Sequence, residues 1–238
     1  MAGTIWQQIQ EVLTGEIAAG RFGPGDRLPT EAALAQRFGV NRHTVRRALR
    51  EMQEAGLIHA RRGAGVFVTH RPIPYRLGPD VKFSQNMAET GHAGQRHILR
   101  LETLPASAEE ADVLEIRRND PIHVLENVTT IDGVPATYSH CVFPGERLSE
   151  FPDLLTRQGS ITAALGLCGV ADYRRVWTRV SAGRADPVTA RHLQMADGAP
   201  VLKTVSLNRT AEGWPVEHAH TAFCADRVEL LVDDKSLG

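Results

Sequence analysis

The stretch Gly39–Met52, GVNRHTVRRALREM, decides how the chain is organised. At 100° per residue Val45, Ala48, Leu49 and Met52 fall within an arc of ~100°, the i, i+3, i+4, i+7 stripe of a helix with one buried face. Arg42, His43, Arg46, Arg47 and Arg50 occupy an arc of ~140° on the other side. Asn41 precedes them as a natural N-cap, its side-chain oxygen able to accept a free first-turn amide. Such a helix buries one face and presents an unbroken row of hydrogen-bond donors on the other. A donor-rich face of this kind is either merely solvated or laid against a polyanion, and the flanking sequence decides between the two.

Upstream, Ile5, Ile9, Val12, Leu13 and Ile17 repeat at helical spacing, with Gly20 at the expected left-handed stop. Thr30 reads as the N-cap of a second, short helix whose apolar face is Ala33, Leu34 and Phe38, with Glu31 favourable at its positive end. Gly39 ends that helix and turns the chain straight into Asn41. Two helices joined by a tight turn, the second one basic, form a helix-turn-helix pattern. Downstream, Leu57–Ala60 and Val66–Thr69 read as short strands around an Arg61-Arg62-Gly63-Ala64-Gly65 tip. The resulting wing points an arginine-bearing tip toward phosphates or a minor groove.

Residues 4–69 closely resemble the winged helix-turn-helix of the GntR family of bacterial transcription regulators. The matching residues are GDRLPTEAALAQRFGV (25–40), NRHTVRRAL (41–49), the EAGLI turn (54–58) and RRGAGVFV (61–68). The resemblance implies DNA contacts from Arg42, His43, Thr44 and Arg46, with wing contacts from Arg62 and Gly63. Arg47 shares the basic face and joins the expected set. Many members carry an arginine directly after the glutamate of the second helix; here that position is Ala32, so one contact is missing or taken over by a neighbour such as Arg37. A domain this small makes few base contacts, so tight binding is expected from a homodimer on palindromic double-stranded DNA.

Composition agrees with that division. Residues 1–71 carry ten arginines against six acids, a net of +4, and the remainder carries seventeen basic against twenty-two acidic residues, a net of −5. Nucleic acid is therefore expected at one end only. No apolar run approaches the ~20 residues needed to span a bilayer, and the N-terminus lacks a signal-peptide pattern, so a cytoplasmic protein without membrane association is expected. Cys141, Cys168 and Cys224 are odd in number and far apart, which suggests neither a disulfide framework nor a metal knuckle.

The proline-bearing run around residues 70–80 reads as a partly stiff linker, giving a DNA-binding domain at 1–70, a linker at 71–82 and a second domain at 83–238. The second domain contains a repeat. Residues 119–143 align with 198–223, pairing Pro121 with Pro200, Gly133 with Gly213, His140 with His220 and Phe143 with Phe223. Each copy reads as strand, tight turn, strand, preceded by a helix: Ser107 with Glu110 makes a capping box for one, and Asp186-Pro187 starts the other. A duplicated helix–hairpin predicts an antiparallel sheet with helices on it, an α+β fold. Leu148–Arg157 and a segment starting at Ser160 read as helices, and Tyr173–Ala182 as a strand. The Ser160 hydroxyl is either a plain N-cap or an anion contact.

Residues 83–232 resemble the UTRA effector-binding domain of the HutC subgroup, whose fold is shared with chorismate lyase. That resemblance implies a pocket including Ser84, Ser160, Thr162, Glu217 and Phe223. Sugar-phosphate-responsive members often carry arginines in the strand occupied here by Glu126-Asn127-Val128-Thr129. Asn127 is therefore a candidate ligand contact of a different kind, with Arg174, Arg175 or Arg209 supplying positive charge, Arg174 foremost. FGVNRHTVR (38–46) together with GSITAALGLCGVADY (159–173) is most similar to the subgroup's regulators of phosphonate metabolism. The expected protein is a repressor, released from its operator by a small anionic effector, with no cofactor and no resident metal. A HutC-type regulator of another catabolic pathway is the alternative. A metal-responsive one would have to use His218, His220 and Cys224, with His140 and Cys141 of the partner copy of the repeat. No nucleophile–base constellation, glycine-rich phosphate loop or carboxylate pair suggests an enzyme.

Overall fold

The computed structural model describes residues 4–23, 25–61, 64–69, 72–79 and 83–233, and the chain divides into two compact units, Met1–Arg71 and Pro72–Gly238. The first is built on three helices. α1 (Ile5–Ala18) buries Ile9 and Leu13, while Ile5 and Val12, expected in the core, are exposed. α2 (Glu31–Phe38) starts at Thr30, whose hydroxyl accepts from the Ala33 amide at 3.2 Å. Its buried pair is Leu34 and Ala35; Ala33, expected inside, faces outward. α3 (Arg42–Glu54) buries Val45, Ala48, Leu49 and Met52, the predicted stripe.

Strands β1 (Ile58–Arg61) and β2 (Gly65–Val68) pair antiparallel to form the wing. A third segment joins them, since the Leu28 amide donates to the Val66 carbonyl and the Val68 amide to the Asp26 carbonyl. Gly65 sits at φ +119°, where a Cβ would lie 2.6 Å from Arg27 Nε. Only glycine lets Arg27 lie across the base of the wing there.

The second unit opens with β3 (Ile73–Arg76), inside the range read as a linker. It pairs in parallel with β10 (Val228–Leu231). Pro74 is tolerated because a two-stranded pair has open edges on which a missing N–H costs little. α4 (Phe83–Thr90) is pinned to β3 by Asn86, which exchanges two 2.9 Å hydrogen bonds with the Arg76 backbone. It closes on β4 (Gly94–Pro105) at Gly94, where a Cβ would meet Phe83 and Met87 within 2.7 Å. Then follow α5 (Ala108–Leu114), β5 (Pro121–Ile131), β6 (Val134–Pro144), α6 (Phe151–Gln158), α7 (Ile161–Leu167), β7 (Tyr173–Arg184), α8 (Pro187–His192), β8 (Pro200–Thr210) and β9 (Pro215–Cys224).

Six strands make one antiparallel sheet in the order β4-β5-β6-β9-β8-β7. The duplicated unit is larger than the hairpin visible in sequence. Gly94 pairs with Ile131 as Tyr173 pairs with Thr210, and Pro105 with Pro121 as Arg184 with Pro200, all at one offset of 79 residues. The repeat is thus strand–helix–hairpin, and its two copies meet where His140 stands opposite His220 across β6 and β9. Asp132 (φ 51°) and Gly133 (φ 80°) form the first hairpin's turn. Both expected helix caps are present: the Ser107–Glu110 box, and Asp186 accepting from the Val188 and Thr189 amides.

Candidate functional site

The basic face of α3 is exposed as its periodicity predicts, but its members differ in how they are held. Asn41 caps the helix, accepting from the Thr44 amide and hydroxyl, both at 2.9 Å, so the Thr44 hydroxyl is already engaged. Arg46 is gripped by Glu31 of α2 through two bonds, Nε to Oε1 at 3.1 Å and Nη2 to Oε2 at 2.7 Å. The guanidinium in turn holds the Glu31 carboxyl below its ordinary pKa. This fork fixes the direction of Arg46, and planar donor geometry is what bidentate recognition of guanine requires. Arg47 lies over the Trp6 ring at 4.7 Å, a cation–π contact that steadies it beside α1. Arg42 and His43 are exposed and, through space, also help to hold the Glu31 carboxyl low.

Arg37, the neighbour that could take over the contact missing at Ala32, is itself paired. It is bonded to Glu16 of α1, with Nη1 to Oε2 at 2.8 Å. Arg27, which the sequence reading passed over, is exposed at the root of the wing. Arg62 and Gly63 lie outside the described residues.

In the second unit a cavity of about 200 Å³ lies against one face of the sheet. Asn127, Ser160, Thr162, Glu217 and Phe223 all line it. Ser84 falls on α4, and its side chain lies outside the described residues. Arg174 does not line the cavity; strand alternation turns it away and brings Arg175 in. Arg209 is tied to Glu115 and to the Gly213 carbonyl. Arg96 of β4 lines the cavity too and was missed, although it stands 79 residues before Arg175, the offset of the repeat itself.

The polar groups inside form two short chains. Arg96 Nε donates to Asn127 Oδ1 at 3.2 Å. Arg175 Nε donates to Asn208 Oδ1 at 3.5 Å, and Asn208 Nδ2 donates to Glu217 Oε2 at 2.6 Å. Tyr173 shares a 3.1 Å hydrogen bond with Thr162, and burial, helped by the Glu217 carboxylate, pushes its phenol up to about 12. Burial raises the Cys141 thiol well above its usual range, which disfavours the thiolate. Ser160 caps α7 by accepting from the Ala163 amide at 3.3 Å. The cavity therefore offers two guanidiniums, one carboxylate and many hydroxyls.

His140, His218 and His220 lie on the opposite face of the sheet. The rings of His218 and His220 are 4.9 Å apart, edge to face, and burial pushes both below the usual histidine value. Among the described residues no group of three or more His, Cys, Asp or Glu side chains is arranged to hold a metal ion.

Residues 6–68 match the model of the bacterial regulatory proteins of the gntR family, and residues 89–229 match the UTRA domain. The chain is 34% identical over 233 residues to the Probable transcriptional regulator PhnF of Escherichia coli (strain K12), covering 97% of this chain and 95% of that protein. This chain belongs to the GntR family. Within it, a GntR helix-turn-helix followed by a UTRA domain is the HutC-subgroup architecture. This GntR protein is also 34% identical over 234 residues to the HTH-type transcriptional regulator RB1450 of Rhizobium meliloti (strain 1021), covering 98% of this chain and 96% of the relative. The crystal structure of PhnF from Mycobacterium smegmatis shares its fold, with a TM-score of 0.67 at 23% identity, covering 97% of this chain and 98% of that one. It is a GntR-family transcriptional regulator, and no helix among its described residues is long and apolar enough to cross a membrane.

Proposed function

We propose that this regulator represses genes for phosphonate uptake and degradation and leaves its operator when a small anionic effector fills the UTRA cavity. The observation that carries the effector reading is the pair Arg96 and Arg175, which line one small polar cavity, each bonded to an asparagine of the neighbouring strand, Asn127 and Asn208. Two guanidiniums directed into one recess attract an anion. The phosphonate assignment is supported by the likeness to E. coli PhnF over nearly the whole chain. In this reading Arg42, His43, Thr44, Arg46 and Arg47 face DNA, with Arg46 reading a base edge and the others fixing register on phosphates. Arg62 and Gly63 would extend the contact from the wing. Two copies bind a two-fold site, and a ligand that favours one arrangement of the dimer over another shifts the population away from the spacing DNA requires.

The test is a gel-shift or anisotropy assay on DNA from upstream of phosphonate genes, titrated with phosphate, alkylphosphonates and a sugar phosphate. Release by a phosphonate at a concentration where the sugar phosphate does nothing is the expected result. Release by the sugar phosphate alone assigns the regulator to another catabolic pathway.

A further inference from the structure

The cavity is made from two copies of one unit, so its halves are comparable position by position. Arg96 stands opposite Thr129 across β4 and β5, as Arg175 stands opposite Asn208 across β7 and β8. In the repeat alignment Thr129 matches Asn208 and Thr137 matches Glu217. The halves therefore differ in charge. On one side the Arg175–Asn208–Glu217 chain offsets a guanidinium with a carboxylate. On the other the row reads Arg96, Thr129, Thr137, and no ion pair joins Arg96 to an acid among the described residues.

An independent observation marks the Arg96 half. Asn127 is 1% exposed, and its Oδ1 accepts from Arg96 Nε, which fixes the amide orientation. Nδ2 is then left buried with no hydrogen-bond partner. Orphaned buried donors are rare in folded proteins and point to an unseen group, here an acceptor. Glu217 presents the complementary case. It is 8% exposed, held by the Asn208 amide and the Cys141 thiol, and it has no cation at ion-pair distance among the described residues. A buried carboxylate in that state favours a donor or a cation. The cavity, at about 200 Å³, is smaller than the ~300–1,000 Å³ of sites for drug-sized ligands, so the ligand has few heavy atoms.

Resting on the reading of this cavity as the effector site, we propose that the effector is a small amine-bearing phosphonate or phosphate monoester. Its oxyanion is held by Arg96 and Asn127 Nδ2, with the hydroxyls of Thr129 and Thr137 beside it, and its ammonium faces Glu217. Two guanidiniums and one carboxylate leave the cavity one positive charge in excess, which complements a zwitterion whose phosphorus end outweighs its ammonium.

Calorimetric titration of the full-length protein with 2-aminoethylphosphonate, O-phosphoethanolamine, ethylphosphonate and inorganic phosphate tests this. One of the two amine-bearing probes should bind more than about tenfold tighter than ethylphosphonate, the effect of one charge-assisted hydrogen bond, and the tighter of the two identifies the source. Glu217→Gln should abolish that preference, while Arg96→Met should weaken every probe. Ethylphosphonate binding as tightly as the amines to the unaltered protein would overturn the amine assignment while leaving the cavity an anion site. Equal weakening of both ligand classes by Glu217→Gln would do the same. If none of the four probes binds, the effector reading of the cavity falls with it.

Discussion

On α3 five basic side chains share one exposed face, whereas among the described residues the UTRA cavity is lined by two, Arg96 and Arg175, each backed by an amide. Exposed charges act in high dielectric, so each contributes little and their number and register matter, with strong dependence on salt. Charges in a recess are partly desolvated, so each one counts and screening matters less. In the proposed reading the same side chain serves a polyanion by repetition and a small anion by enclosure. The exception on the helix is Arg46, whose guanidinium Glu31 holds along one edge with both carboxylate oxygens, giving a surface arginine the fixed direction usual in a pocket.

That contrast can be broken by substitution. Arg46→Ala should weaken specific DNA binding by about 1–3 kcal/mol, read by anisotropy against unrelated DNA at matched salt. An equal loss on both DNAs would place Arg46 on phosphate and remove its special status. Arg96→Met should lower the affinity for a phosphonate by about tenfold or more, read by calorimetry, while leaving DNA affinity and its salt dependence unchanged. A change in DNA affinity without ligand would mean that Arg96 supports the fold. Asn41→Ala removes the cap of α3 and should cost about 1 kcal/mol of stability in denaturant unfolding, with a matching small loss of DNA affinity.

How far the sequence disclosed these features depends on how local their causes are. The stripe of α3, the caps at Thr30, Asn41, Ser107 and Asp186, and the two hairpins are written within a few residues each, and all are present. The third strand of the wing left no alternation because it pairs over so short a length. β3 was hidden by prolines, which read as linker unless the partner, some 150 residues later, is known. Ile5 and Val12 share the spacing of Ile9 and Leu13, and only the packed helices decide which of them is covered. In the cavity, alternation correctly put Glu217 and Phe223 on one face but could not choose between Arg174 and Arg175, because a bulge follows Arg175. Arg96 was legible in principle. Carrying the 79-residue offset back from the hairpins to the preceding strand leads to it directly.

The central claim is that filling the cavity releases DNA from a different unit of the chain. Its most direct test is DNA release by a phosphonate that binds the protein, measured side by side for the unaltered protein and Arg96→Met at one ligand concentration. The account predicts release from the unaltered protein and a complex that persists with Arg96→Met. Equal release from both would contradict it.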